Sequence, residues 1–145
     1  LKAEAISRHT QLMVVAVDSG LKVDALEGRP GVLSSRFAGD QATDEENRIK
    51  LLRELEGIDI AQRGAQFVCS LVLWDPQQGL LFKTEGICPG RIGFVERGQG
   101  GFGYDSLFIP DGFTRTMAEL SSKEKNNISH RGKALSSFYR FIENF

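Results

Sequence analysis

Ala65 to Trp74 reads as a long strand, and its turn and return follow directly. Asp75-Pro76-Gln77-Gln78-Gly79 is a cluster of turn formers, and Leu80 to Ile87 is the returning partner. Helical patterns flank this hairpin. Thr43 with Glu46 writes a capping box before Ile49, Leu52 and Leu55, three apolar residues expected on one helical face that ends at Gly57. Ser121 with Glu124 writes a second, and Leu135, Phe138, Ile142 and Phe145 repeat at helical spacing to give one closing helix on the sheet. Strands and helices therefore interleave, and the expected fold is a single α/β domain over residues 1–145.

Before the hairpin, residues 1–11 are rich in helix formers and carry no cap ahead of Leu1. Leu12-Met13-Val14-Val15-Ala16-Val17 is short, apolar and partly β-branched, as a fully buried strand is, with Asp18-Ser19-Gly20 where that strand ends. Glycines 28, 31 and 39 and Pro30 mark a loop-rich excursion from Leu21 to Asp40. Beyond the hairpin, Arg91 to Glu96 reads as a further strand. A glycine-dense loop follows at Gly98, Gly100, Gly101 and Gly103, then apolar Leu107-Phe108-Ile109 and a stop at Pro110.

Composition excludes several classes of function. A formal charge of -1 creates no global field toward a nucleic acid polymer or an anionic membrane, so phosphate binding has to be local. The apolar run Leu12–Val17 is far short of the roughly 20 residues of a spanning helix. Leu1-Lys2-Ala3-Glu4 has no signal-peptide pattern, and the sequence reads as cytoplasmic. Cys69 and Cys88 lack zinc or redox spacing and read as free thiols. No Walker A loop, H-E-x-x-H pair or G-x-S-x-G elbow occurs.

Three stretches carry candidate chemistry. A carboxylate at Asp18, at the end of a strand, is able to hold magnesium (Mg2+), which needs only one or two carboxylates beside water and phosphate oxygens; Asp-Ser-Gly is equally a plain Asx-turn. Gly98-Gln99-Gly100-Gly101-Phe102-Gly103 matches G-x-G-x-x-G, but an extended segment ending at Pro110 follows it instead of a helix, so the dinucleotide reading fails. What remains is a loop able to approach a ligand, with Phe102 and Tyr104 to stack on a base and Asp105 to accept hydrogen bonds, or a tight turn with core aromatics. Lys125 to Arg131 gathers two cations, His130 and several amides. Arginine only donates, so a desolvated Arg131 accepts a purine 6-oxo group and rejects a 6-amino group; a solvated basic face is the plainer alternative.

In order along the chain, Asp18-Ser19-Gly20-Leu21, Gly28-x-Pro30-Gly31-Val32 with Ser35-Arg36, Gly101-Phe102-Gly103-Tyr104-Asp105 and Ser129-His130-Arg131-Gly132 resemble the inosine triphosphate pyrophosphatase family. That resemblance implies a curved mixed β-sheet with flanking helices in two lobes, a nucleotide in the cleft between them, and a homodimer. It also implies magnesium-dependent hydrolysis of non-standard purine nucleoside triphosphates to monophosphate and pyrophosphate. By position, Asp18 is the proton acceptor and metal ligand. Ser19 touches substrate, Phe102, Gly103, Tyr104 and Asp105 hold the base, Lys125 and Lys2 face phosphate, and His130 with Arg131 reads the oxo-purine.

Two departures accompany the resemblance. The family's opening strand, its Ser/Thr-x-Asn-x-x-Lys triphosphate loop and a metal-binding glutamate align ahead of Leu1, which implies an amino-terminally truncated form. Val17 stands where the family usually has an acid. Three explanations fit the short start: omitted residues, a truncated gene product, or a segment supplied by another chain. A sheet lacking its first strand is expected to re-pair the open edge, for instance by dimerisation. Two functional expectations result: the pyrophosphatase activity, and an inactive nucleotide-binding or assembly module of the same fold.

Overall fold

The computed structural model describes residues 2–145; of the helix end expected over residues 1–11, Leu1 lies outside the described residues. Helix α1 (Lys2–Thr10) ends where Gln11 takes a positive φ of 60° and its N–H donates to Ser7 O, while Ser7 Oγ donates to Leu12 O at 2.6 Å. This turn sends the chain into β1 (Val14–Val23), and α1 packs back against β1 and β3 (Gly64–Asp75).

Strand β1 corrects two expectations. It runs straight through Asp18-Ser19-Gly20, because β3 pairs with it from Val14↔Trp74 to Val23↔Ala65 and supplies the backbone partners that override the turn preference of those residues. It is also buried at the other end from the one expected. Leu21 and Val23 are fully buried, whereas Val15 and Val17 are each 46% exposed. The reason is coverage: β2 (Pro30–Gly31) pairs with β1 only at Leu21 and Lys22. Gly20 makes that crossing possible, since a Cβ there would lie 2.6 Å from Gly31 O.

The hairpin forms as read and is longer. Asp75 Oδ1 accepts from the N–H groups of Gln77 and Gln78 at 2.8 and 2.7 Å, closing the turn between β3 and β4 (Gly79–Ile92). No separate strand forms over Arg91–Glu96. Instead the end of β4 pairs with β5 (Phe108–Pro110), through Gly90↔Pro110 to Ile92↔Phe108. The open sheet has the order β2-β1-β3-β4-β5, with flanking helices as expected. Where a mixed sheet was expected, all four pairings among the described residues are antiparallel, since none of these neighbours is joined by a parallel crossover.

Helix α2 (Asp44–Glu54) starts at the Thr43–Glu46 capping box, as the sequence implies. Its buried face is set by Asn47, Leu51 and Leu55, and Ile49 is exposed. Leu51 and Leu55 join Leu21, Phe67, Ile92, Phe108 and Met117 in the main core. The expected closing helix is two: α3 (Ser122–Ile128), capped by Ser121 and Glu124, and α4 (His130–Glu143). Ser129 breaks them with φ -65° and ψ 150°, and its Oγ accepts the Gly132 N–H at 3.0 Å as the α4 cap. Ala134 and Phe138 of α4 pack on Cys69, Leu71 and Phe82. Gly86 lies under the His130 carbonyl, where a Cβ would collide.

Candidate functional site

The break at Ser129 points the first turn of α4 at a cleft of about 590 Å³ between the sheet, the glycine loop and α3. Ser19, Phe102, Gly103, Tyr104, Asp105, Lys125, His130 and Arg131 all line it, so side chains from widely separated parts of the sequence meet here. Asp18 and Lys2 do not. Alternation along β1 turns the Asp18 side chain to the sheet face opposite Ser19, and Val17 and Asp18 diverge for the same reason.

The loop that forms one wall is organised by Asp105, which is only 6% exposed. Its Oδ2 accepts from the Phe102 N–H at 3.2 Å and from Lys125 Nζ at 2.5 Å. Gly101, at φ 72°, is required beside it, because a Cβ would run into the carboxylate. Phe102 is thereby left largely exposed at the mouth, with Lys125 Nζ 5.0 Å and Arg131 Cζ 6.0 Å from its ring centroid. Tyr104 instead turns inward and is buried; its hydroxyl donates to Ser34 O at 2.7 Å. Burial, and then the charge of Asp44, raise its pKa, so the phenol stays a donor.

His130 stacks on Phe67 with centroids 4.9 Å apart and planes 17° from parallel. Burial first, then the cation of Arg131, push its pKa down to about 4, with Asp105 opposing and Lys125 adding to the fall. The imidazole is neutral at neutral pH, and its buried Nδ1 has no partner among the described residues. Arg131 is exposed in the open cleft, where the sequence reading had it desolvated. A cleft with an exposed aromatic ring, two cations over it and a neutral imidazole suits a flat heteroaromatic ring carrying anionic groups.

Sequence reasoning missed Ser34, Asp44 and Arg48, the first two lining the cleft and the last holding its loop. The available signal was in α2, where Asp44, Asn47 and Arg48 put three polar groups at i, i+3 and i+4. A second groove of about 620 Å³ lies around Ile49, Arg63 and Phe94. None of the expected site residues reaches it, and Arg63 spends its donors on the carbonyls of Ile58, Gly93 and Leu55 at 2.9–3.0 Å. Among the described residues no group of three or more His, Cys, Asp or Glu is set to hold a metal ion.

Comparison with known proteins matches residues 1–141 to the Ham1 family. A protein from Methylacidiphilum infernorum named dITP/XTP pyrophosphatase is 47% identical over 98% of this chain and 70% of its own length. One of the same name from Geobacillus kaustophilus is 52% identical over 93% of the chain and 66% of its own length. The chain thus spans about two thirds of these relatives. The structure of the Staphylococcus aureus Ham1 protein superposes with a TM-score of 0.93 at 40% identity, covering 99% of this chain and 73% of that one.

Proposed function

The chain belongs to the Ham1 family, and from that premise we propose that it hydrolyses non-standard purine nucleoside triphosphates, those of inosine, deoxyinosine or xanthosine, to the monophosphate and pyrophosphate. The observation that carries the reading is the cleft itself: an exposed Phe102 ring with Lys125 and Arg131 over it lines the same cleft as a neutral His130. A purine laid on Phe102 covers the exposed Arg131, and desolvation then strengthens its hydrogen bonds. Its guanidinium donates to a 6-oxo group and finds no acceptor on a 6-amino group. Lys125, already paired with Asp105, supplies the nearest point charge for the phosphate side.

Asp18 lies across β1 from this cleft, on a strand whose outer edge is unpaired between Val14 and Gly20 among the described residues. In our reading the phosphate tail crosses that open edge beside Ser19 and meets Asp18. There the carboxylate accepts the proton of the attacking water. Asp18 is exposed and free of ion pairs among the described residues, so its carboxylate would hold a magnesium ion as a single protein ligand and not as part of an all-protein cage. Such an ion supplies charge neutralisation at the phosphates. We further propose a homodimer working in the cytoplasm; among the described residues no helix is long and apolar enough to cross a membrane. The inactive module of the same fold has no observation in its favour.

Pyrophosphate release from inosine triphosphate with magnesium is the test. Turnover is expected, with loss of at least about a hundredfold in Asp18→Asn, which removes charge and keeps shape. Arg131→Ala is expected to bring the rates on inosine and adenosine triphosphates together. Equal release by the wild-type chain and Asp18→Asn removes the catalytic role of Asp18.

A further inference from the structure

Asp44, Asn47 and Arg48 share one face of α2, and each holds backbone of the cleft wall. Asn47, 2% exposed, accepts the Ala38 N–H at 2.8 Å and donates to Ser35 O at 3.1 Å. Asp44 Oδ2 accepts the Gly103 N–H at 3.0 Å, and Arg48 Nη1 donates to Gly103 O at 2.8 Å. The N–H belongs to the peptide linking Phe102 to Gly103, and the O to the peptide linking Gly103 to Tyr104. Two side chains one helical turn apart therefore fix both peptide planes around a residue with φ 59°.

Arg48 is anchored in turn. Its Nε lies 2.6 Å from Glu96 Oε1, an ion pair too far off line to count as a hydrogen bond, and the same oxygen accepts from Ser106 Oγ at 2.8 Å. The Tyr104 hydroxyl on Ser34 O then closes a ring from α2 through both walls and back. A loop with glycines at 98, 100, 101 and 103 has more backbone freedom to lose than any other segment of its length, so its position has to be imposed from outside.

We propose that Asp44 and Arg48 are positioning residues for purine recognition, a two-point clamp on Gly103 that sets Phe102 and Tyr104 at their distance from His130 and Arg131. This rests on the reading of the cleft as a nucleotide site. Neither residue is placed at the phosphates, so the clamp acts on base binding and discrimination more than on the chemical step.

Steady-state kinetics of Asp44→Ala, Arg48→Ala, the double variant and Asp44→Asn test it. Each alanine variant is expected to raise KM for inosine triphosphate about tenfold, the scale of one charged hydrogen bond, and to narrow the preference over adenosine triphosphate. Saturated kcat stays within about twofold, since a loss confined to uniform binding appears in KM. The double variant costs little more than the larger single, because both act through one residue. Asp44→Asn keeps an acceptor and restores most of the loss. Unchanged KM and discrimination alongside a lowered Tm overturn the clamp. Hydrogen exchange of the Gly103 amide in the unliganded protein gives a readout free of turnover: it is expected to speed up in Asp44→Ala and not in Asp44→Asn. If the wild-type chain releases no pyrophosphate the functional reading fails, while a Gly103 amide still protected in Asp44→Ala overturns the clamp by itself.

Discussion

His130 shows how one side chain links folding to the site. Unfolded, the imidazole takes up a proton near pH 6.5; folded, burial beside Arg131 and Lys125 lowers that to about 4, against the pull of Asp105. Between those values the unfolded chain binds more protons, so stability from this residue is fully present above pH 6.5 and is lost as pH falls toward about 4. Denaturant midpoints at neutral pH and near pH 4 are therefore expected to differ less in His130→Gln than in the wild-type chain, after the carboxylates common to both cancel. An identical pH dependence in the two proteins would mean that His130 is not held neutral by its surroundings. In the site proposed above, the same neutrality would let the imidazole meet a purine edge without a charge of its own.

At the scale of elements, what the sequence made legible was what is local. The capping boxes at Thr43–Glu46 and Ser121–Glu124 and the Asp75 turn each satisfy their hydrogen bonds within a few residues, and each stands where it was read. The passage of β1 through Asp18-Ser19-Gly20 was hidden because its cause is β3, some fifty residues away in sequence. The pairing of Asp44 and Arg48 with Gly103 was hidden for the same reason. Among the site residues, the glycine loop and the His130-Arg131 pair were legible as a motif, while the separation of Asp18 from them required the strand register. Ser129 was missed differently: its partner Gly132 is local, but without a Glu or Gln at the third position it writes no capping box. Ser129→Ala is expected to cost about 1 kcal/mol by chemical denaturation, the usual cost of losing a cap. It is also expected to weaken nucleotide binding, because the cap aims His130 and Arg131. A stability loss with binding unchanged would leave Ser129 a purely structural break.

For the molecule as a whole, the two edges of the sheet differ. At one end β5 is short, three residues, all buried, and Leu107 just before it is buried too. At the other, β2 guards only Leu21 and Lys22, leaving the outer backbone of Val14 to Gly20 unpaired among the described residues. Ahead of Asp18 and Ser19 the exposed side chains along that edge are apolar: Leu12 is 65% exposed, and Met13, Val15 and Val17 each 46%. A long unguarded edge with apolar side chains is a template for another strand, and natural proteins blunt such edges with a charge. The polypeptide of residues 1–145 is accordingly expected to self-associate through Val14–Val17 of β1, ahead of Ser19 where the phosphate tail is proposed to cross, in sedimentation experiments, with a dimer fraction that grows with concentration. Val17→Lys places a cation on that edge at a partly exposed position, where its effect on folding should stay within about 0.5 kcal/mol. It is expected to shift the chain to monomer at unchanged secondary structure. A dimer that survives Val17→Lys must use another face, and the β1 edge is then not what joins the subunits. A monomer in both proteins removes the homodimer proposed for this polypeptide, leaving the open edge to the path of the phosphate tail alone.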